Sequence, residues 1–125
     1  MTPPPIPLPS DPVNLAVIHG TLSSDPVTRE LPSGDVVHNY EVTVRSADGP
    51  ADSVPVARFT NGRVPSLQSG DAVVVTGRIR RRFFRAGGVT ASRTEILADA
   101  IVPSAKAAAA EKAIGRALSP LLGDP

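Results

Sequence analysis

A chain of 125 residues with no cysteine and a formal charge of +1 is long enough for one domain with a real core and too short for two ordinary ones, and it excludes disulfides and thiolate metal sites. Its longest apolar runs stop short of a membrane span, and Met1-Thr2-Pro3-Pro4-Pro5 lacks the basic start and apolar body of a secretory leader, so a cytoplasmic protein that does not enter the membrane is expected. The small net charge hides a segregation. Residues 1–53 carry seven acids and two arginines, a net of −5, whereas residues 54–97 carry eight arginines against Asp71 and Glu95, a net of +6. A polyanion would meet a directional field rather than a neutral surface.

Taken in order, the chain opens with Pro3-Pro4-Pro5-Ile6-Pro7-Leu8-Pro9, which has too few backbone donors for helix or sheet, so residues 1–13 read as a stiff, disordered arm. Asn14 to Leu22 reads as a buried strand with a bend at Gly20, and Ser23-Ser24-Asp25-Pro26 is turn chemistry. After Val27-Thr28-Arg29-Glu30, the segment Leu31-Pro32-Ser33-Gly34-Asp35 turns the chain into its cleanest alternation. Val36, His38, Tyr40, Val42 and Val44 share one face; Val37, Asn39, Glu41, Thr43 and Arg45 share the other, expected to be wet. A third strand, about Val54 to Asn61, carries Pro55 and is therefore expected at an edge or a bulge. Residues 61–70 have room for at most one helical turn.

The next stretch dominates the chain. From Gly70 to Phe84 and from Val89 to Leu97 the pattern is that of two long antiparallel strands joined at Gly87-Gly88, glycines that supply the positive φ of a tight hairpin. With a period of two, Val73, Val75, Gly77 and Ile79 point one way and Val74, Thr76, Arg78, Arg80, Arg82 and Phe84 the other. The second face is a cationic ribbon ending in an aromatic, in a stretch where arginines 78, 80, 81, 82, 85 and 93 occur with no acid between the first and the last. Guanidinium groups pair with phosphates and a neighbouring ring stacks on a base, so the ribbon points to nucleic acid rather than to a plain solvated face. Beyond Pro103, Ser104 reads as an N-cap and Ala105 to Leu118 as a weakly amphipathic helix ended by Pro120, with Gly123-Asp124-Pro125 as a loose terminus. The expected organisation is thus a proline-rich arm (1–13), an all-β domain (14–103) and an alanine-rich helix and tail (104–125). Five strands at short spacing with glycine bends and little helix indicate a five-stranded Greek-key barrel, with an open sandwich as the alternative.

The ordered set formed by Asn14 through Gly20 with Leu22, Asp25-Pro26 with Arg29, Leu31-Pro32-Ser33-Gly34, Ser69-Gly70-Asp71, Val73-Val74-Val75, Gly77-Arg78-Ile79-Arg80 and Thr94-Glu95-Ile96 resembles the bacterial single-stranded DNA-binding proteins over about residues 14–103. The resemblance implies an oligonucleotide-binding barrel that binds single-stranded DNA without catalysis in replication, repair or recombination and assembles as a homodimer or homotetramer, with replication or repair proteins as candidate partners. It also implies base stacking by aromatic side chains. Phe84 falls where the family places a tryptophan and Phe59 near its phenylalanine, but the chain contains no tryptophan and lacks the family's acidic tail tip. Each missing stack is worth about 1–3 kcal/mol, so weaker and more salt-sensitive binding than the family norm is expected.

The nucleic-acid-contacting set expected from sequence is Arg45, Arg58, Phe59, Arg78, Arg80, Arg82, Phe84, Arg85 and Arg93. RNA is an alternative ligand for the same barrel face, and a docking or oligomerisation module with weak DNA affinity is an alternative role. No enzyme, metal site or cofactor is expected: His19 and His38 fall on separate strands and read as satisfied structural histidines, and Gly87-Gly88 is followed by no helix and no Lys-Ser or Lys-Thr. Self-association is expected, with Val37 and Val74 as exposed apolar candidates for the contact.

Overall fold

A computed structural model of the protein describes residues 2–123; Met1 and the Asp124-Pro125 part of the expected loose terminus lie outside the described residues. The chain forms β1 (Ala16–Leu22), β2 (Val27–Glu30), β3 (Val36–Arg45), β4 (Ala51–Phe59), β5 (Ala72–Ala86), β6 (Val89–Pro103) and α1 (Ala107–Leu122). The strands run in the order β1-β5-β6-β4-β3-β2, and a second pairing of β1 with β3, at Thr21 with Thr43 and Leu22 with Val42, closes the sheet into a ring. This is the expected Greek-key barrel of five strands, with one addition. The short β2 lies outside the ring on β3, and its exposed VTRE sequence has no apolar alternation that would announce it.

One face of each barrel strand fills the interior. Leu22, Tyr40, Val42, Val56, Val73, Val75, Ile96 and Ile101 form the core, all at or below 4% exposure. The β-branched valines and isoleucines among them suit a pleated, fully buried surface, and each contributes about 1.5–3 kcal/mol relative to exposure. Pro55 sits opposite Glu41 of β3, and β4 bonds β6 only at Val56 and Ala57, so the proline stands just where the second edge of its strand is unpaired.

Closure depends on two close backbone approaches. A Cβ on Gly20 would run into the Thr43 carbonyl where β1 turns from β5 to β3, and one on Gly77 would run into the Leu97 carbonyl and stand 2.9 Å from the Ala98 Cα. At the second position the β5–β6 register shifts by one residue: Gly77 pairs with Ala98 and Thr76 with Ala100, leaving Asp99 as the extra residue of a bulge. Because the backbone on both sides is held in ladders, Gly77→Ala is expected to lower stability by about 1–3 kcal/mol, read as the midpoint shift in chemical denaturation. An unchanged midpoint would show that the barrel seam tolerates a wider separation.

The expectation that Val74 and Thr76 share an exposed face with the arginines fails. Both are buried (4% and 3%), because α1 packs across the outer side of β5 and β6 at this level. Ala110 is the buried helix residue, and Ala109, Lys112, Ala113 and Arg116 line a groove with Thr76, Asp99 and Val102. Val37, on the β3 face expected to be wet, is also buried (3%), flanked across the sheet by Arg29 and Phe59. Neither valine is available for contact with a second copy. Ser104 is not the helix cap: its N–H bonds the Ala72 carbonyl and its hydroxyl pairs with His19 Nε2 at 2.8 Å, so the helix starts later, from Lys106, without a side-chain cap. Nor does Pro120 end it. The proline lies inside the last turn, where the acceptor it leaves unbonded belongs to exposed Arg116 and can be satisfied by water. Residues 2–13 form neither helix nor strand, and Leu8 to Val13 share a groove with Leu15 and Leu121 at the end of α1.

Tyr40 is the chain's single tyrosine, and burial in the core pushes its phenol above 10.0, partly offset by the Arg58 guanidinium. Because the folded state holds this proton more tightly than the unfolded chain, the stability it contributes is complete below pH 10 and is lost as pH rises through the folded value. With no tryptophan to obscure it, tyrosinate absorbance near 295 nm should appear at higher pH in the native protein than in denaturant. Coincident titrations would contradict the burial.

Candidate nucleic-acid interface

Beyond Gly77 the β5–β6 hairpin leaves the barrel. β1 pairs with β5 only as far as Gly77, and β4 shares a ladder with β6 only at Ile96 and Leu97, so from Arg80 and Glu95 outward the backbones of the two strands pair with each other alone. Asn14 braces the root. Its side-chain amide donates to the Ile79 carbonyl (2.7 Å) and accepts from the Ile79 N–H (2.9 Å), extending the β1 ladder by one side chain.

The outer face of this arm, continued across β4 and β3, holds the ribbon. Arg78 pairs across the hairpin with Leu97, Arg80 with Glu95, Arg82 with Arg93 and Phe84 with Ala91. The arginines are interleaved with rings: the Arg80 guanidinium lies 5.2 Å from the centroid of Phe59 on β4, and that of Arg82 lies 5.2 Å from Phe84. Such pairs hold a cation beside a ring on which a base can stack. Phe59 and Phe84 are 43% and 37% exposed, which leaves ring area for a ligand.

Two carboxylates set the charges of this face. Glu95, with 2% of its side chain exposed, accepts from Arg80 Nε and Nη2 at 2.9 Å and stands 3.5 Å from Arg82 Nε. Glu41 of β3 takes Arg93 Nη2 at 2.6 Å across the intervening β4 and also accepts from Ser53 Oγ at 3.3 Å. Arg80, Arg82 and Glu95 together therefore carry one net positive charge rather than two. Arg78 has no acidic partner among the described residues. In Glu95→Gln the amide oxygen still accepts from Arg80, while one guanidinium charge is released to phosphate. The log-affinity against log-salt slope for single-stranded DNA should steepen by about 0.7. An unchanged slope would mean that neither arginine meets phosphate.

The structure brings together Phe59, Arg78, Arg80, Arg82, Phe84 and Arg93 and separates the other three residues of the expected set. Arg45, at the far end of β3, lines a shallow pocket with His19, Thr21 and Ala72 near the β1–β3 seam. Arg58 pairs with His38 and lies on the alternate face of β4 from Phe59. Arg85 lies at the hairpin tip, where its Nη2 donates to the Gly88 carbonyl at 3.0 Å. The His38 ring makes one hydrogen bond, Nδ1 with Thr28 Oγ1 at 3.0 Å, while its Nε2 is buried without a hydrogen-bond partner among the described residues. No cluster of potential metal ligands occurs among the described residues, and no helix is long and apolar enough to cross a membrane. Neither Glu95 nor Glu41, which pair with these arginines, belongs to the set expected from sequence.

The closed barrel agrees with the comparison to known families. The model of the Single-strand binding protein family matches residues 13–104, which span the barrel and the whole hairpin. No match to this chain was found among curated proteins.

Proposed function

Because the chain belongs to the single-strand binding protein family, a non-enzymatic family of single-stranded DNA binders, we propose that it holds single-stranded DNA on the outer face of the β5–β6 arm and the adjoining β4, in the service of replication, repair or recombination. The observation that carries this reading is the pairing of Arg80 with Phe59 and of Arg82 with Phe84 on an exposed strand face. Arg78, Arg80 and Arg82 neutralise phosphates, and the two rings stack bases. With two stacking rings, no tryptophan and an internal counter-charge at Glu95, binding is weaker than a tryptophan-bearing face would give and falls steeply with salt. Mobility shifts with single-stranded DNA, duplex DNA and RNA at two salt concentrations test it. Single-stranded DNA should be retained best, and preference for RNA or duplex would sink the assignment.

A protein-docking or assembly role with little DNA affinity is the second reading, favoured by the partial neutralisation of the ribbon by Glu95 and Glu41. Undetectable DNA binding at low salt would select it. Under either reading the chain self-associates as a homodimer or homotetramer: from Ala16 to Gly20, β1 is paired with β5 on one side only, an edge that a second copy can cover. Light scattering at tens of micromolar should give more than a monomer mass.

A further inference from the structure

The arm has two faces, and only one has been used. Alternation places Arg81, Phe83 and Arg85 on the underside, opposite Thr94, Ser92 and Thr90. In the barrel this same face is the core, but past Gly77 no strand lies beside it. Phe83 is 64% exposed, and Arg81 and Arg85 are exposed as well. The ribbon's chemistry recurs here. The Arg81 guanidinium lies 5.2 Å from the Phe83 centroid and its Nε donates to Ser92 Oγ at 3.2 Å, a third arginine-ring pair facing away from the other two.

The charge is what distinguishes this face. On the outer side Glu95 sits between Arg80 and Arg82, whereas the residues opposite Arg81 and Arg85 are hydroxyls, and neither arginine has an acidic partner among the described residues. Two guanidiniums without an acidic partner flank an exposed ring here, so both charges of the underside are open to phosphate. A merely solvated face has no use for a large exposed ring held beneath a cation.

We propose that the underside of the β5–β6 arm is a second contact surface for single-stranded DNA, so that a long strand passes around the arm instead of running along one side. The proposal rests on the reading of the outer face as the first contact. A short oligonucleotide fills the outer face alone; a longer one rounds the Gly87-Gly88 tip or the arm's edge and reaches Phe83. Phosphates then meet Arg81 and Arg85, and one base stacks on the free side of the Phe83 ring.

The test compares two variants of the full chain, Arg81→Ala/Phe83→Ala/Arg85→Ala and Arg78→Ala/Arg82→Ala/Phe84→Ala, on thymidine oligonucleotides of roughly 8 and roughly 30 nucleotides, lengths chosen around the span of one such barrel. The underside variant should bind the short oligonucleotide within twofold of the unmodified protein. It should bind the long one at least tenfold more weakly, with a salt slope shallower by about 1.4 for two lost phosphate contacts. The outer-face variant should lose both. Equal loss of the two lengths by the underside variant, no loss of either, or a shift in its mass by light scattering would overturn the second surface. Failure of the unmodified protein to bind either length would instead sink the outer-face reading, and this proposal with it. A thermal unfolding midpoint unchanged from the unmodified protein, expected for exposed positions, excludes misfolding as the cause.

Discussion

Phe59→Ala combined with Phe84→Ala is expected to weaken single-stranded DNA binding by about 2–6 kcal/mol, thirtyfold to ten-thousandfold, with the salt slope nearly unchanged. The slope survives because stacking releases no counterions. Replacing Arg78, Arg80 and Arg82 by alanine should leave the opposite signature, a slope shallower by about 1.4. Three phosphates would give about 2.1, but Glu95 already cancels one of the three charges. Glu95→Gln belongs in that variant, since a buried carboxylate stripped of both partners would cost stability and confuse the measurement. Titrations at four or more salt concentrations separate the two signatures. If the double phenylalanine variant binds like the unmodified protein, the rings serve only to hold the arginines.

Ending the chain after Pro103 should cost about 2–4 kcal/mol of stability, because it re-exposes Val74 and Thr76 and removes buried Ala110. The sequence marks residues 104–125 as an alanine-rich helix and tail with little charge to add to DNA binding; the structure gives α1 a seat on the outside of β5 and β6. The arginine ribbon begins one step further along the same face, at Arg78, so the shortened protein should still bind single-stranded DNA while unfolding at lower denaturant. Its uncovered valine face should also raise the apparent mass with concentration. Equal denaturation midpoints for the full and shortened chains would show that the helix rests on the sheet without stabilising it.

What the sequence discloses about this molecule follows from what periodicity can encode. Alternation in Val73 to Phe84 identifies the residues that share a face, and the Gly87-Gly88 turn fixes the pairing, so the barrel, the arm and even Arg80 opposite Glu95 were legible. The importance of Glu95 does not show in the distribution of acids along the chain, because it arises only across the hairpin. Alternation is silent on what lies over a face, which is why it does not reveal that Val74 and Val37 are buried. The bond from Arg93 to Glu41 spans a whole intervening strand, and the amide of Asn14 replaces a backbone partner. Neither leaves a local pattern. The separation of Arg58 from Phe59, by contrast, follows from the period of two along β4 alone.

The bulge at Asp99 has a consequence for how this protein can vary between lineages. It takes up the mismatch between barrel and arm at one point, and from Gly77 opposite Ala98 to Ala86 opposite Val89 the strands then match one for one. Loss of Phe83 and Phe84 together with Ala91 and Ser92 would shorten the arm by about 7 Å, and every surviving side chain would keep its side. Arg82 would remain opposite Arg93, and Glu95 would remain between its two arginines. Removal of one residue per strand would instead turn everything beyond the deletion over. Reach is therefore adjustable by insertion or deletion in paired steps of two, leaving the seam of the barrel untouched, and relatives of this chain should differ in arm length by even numbers.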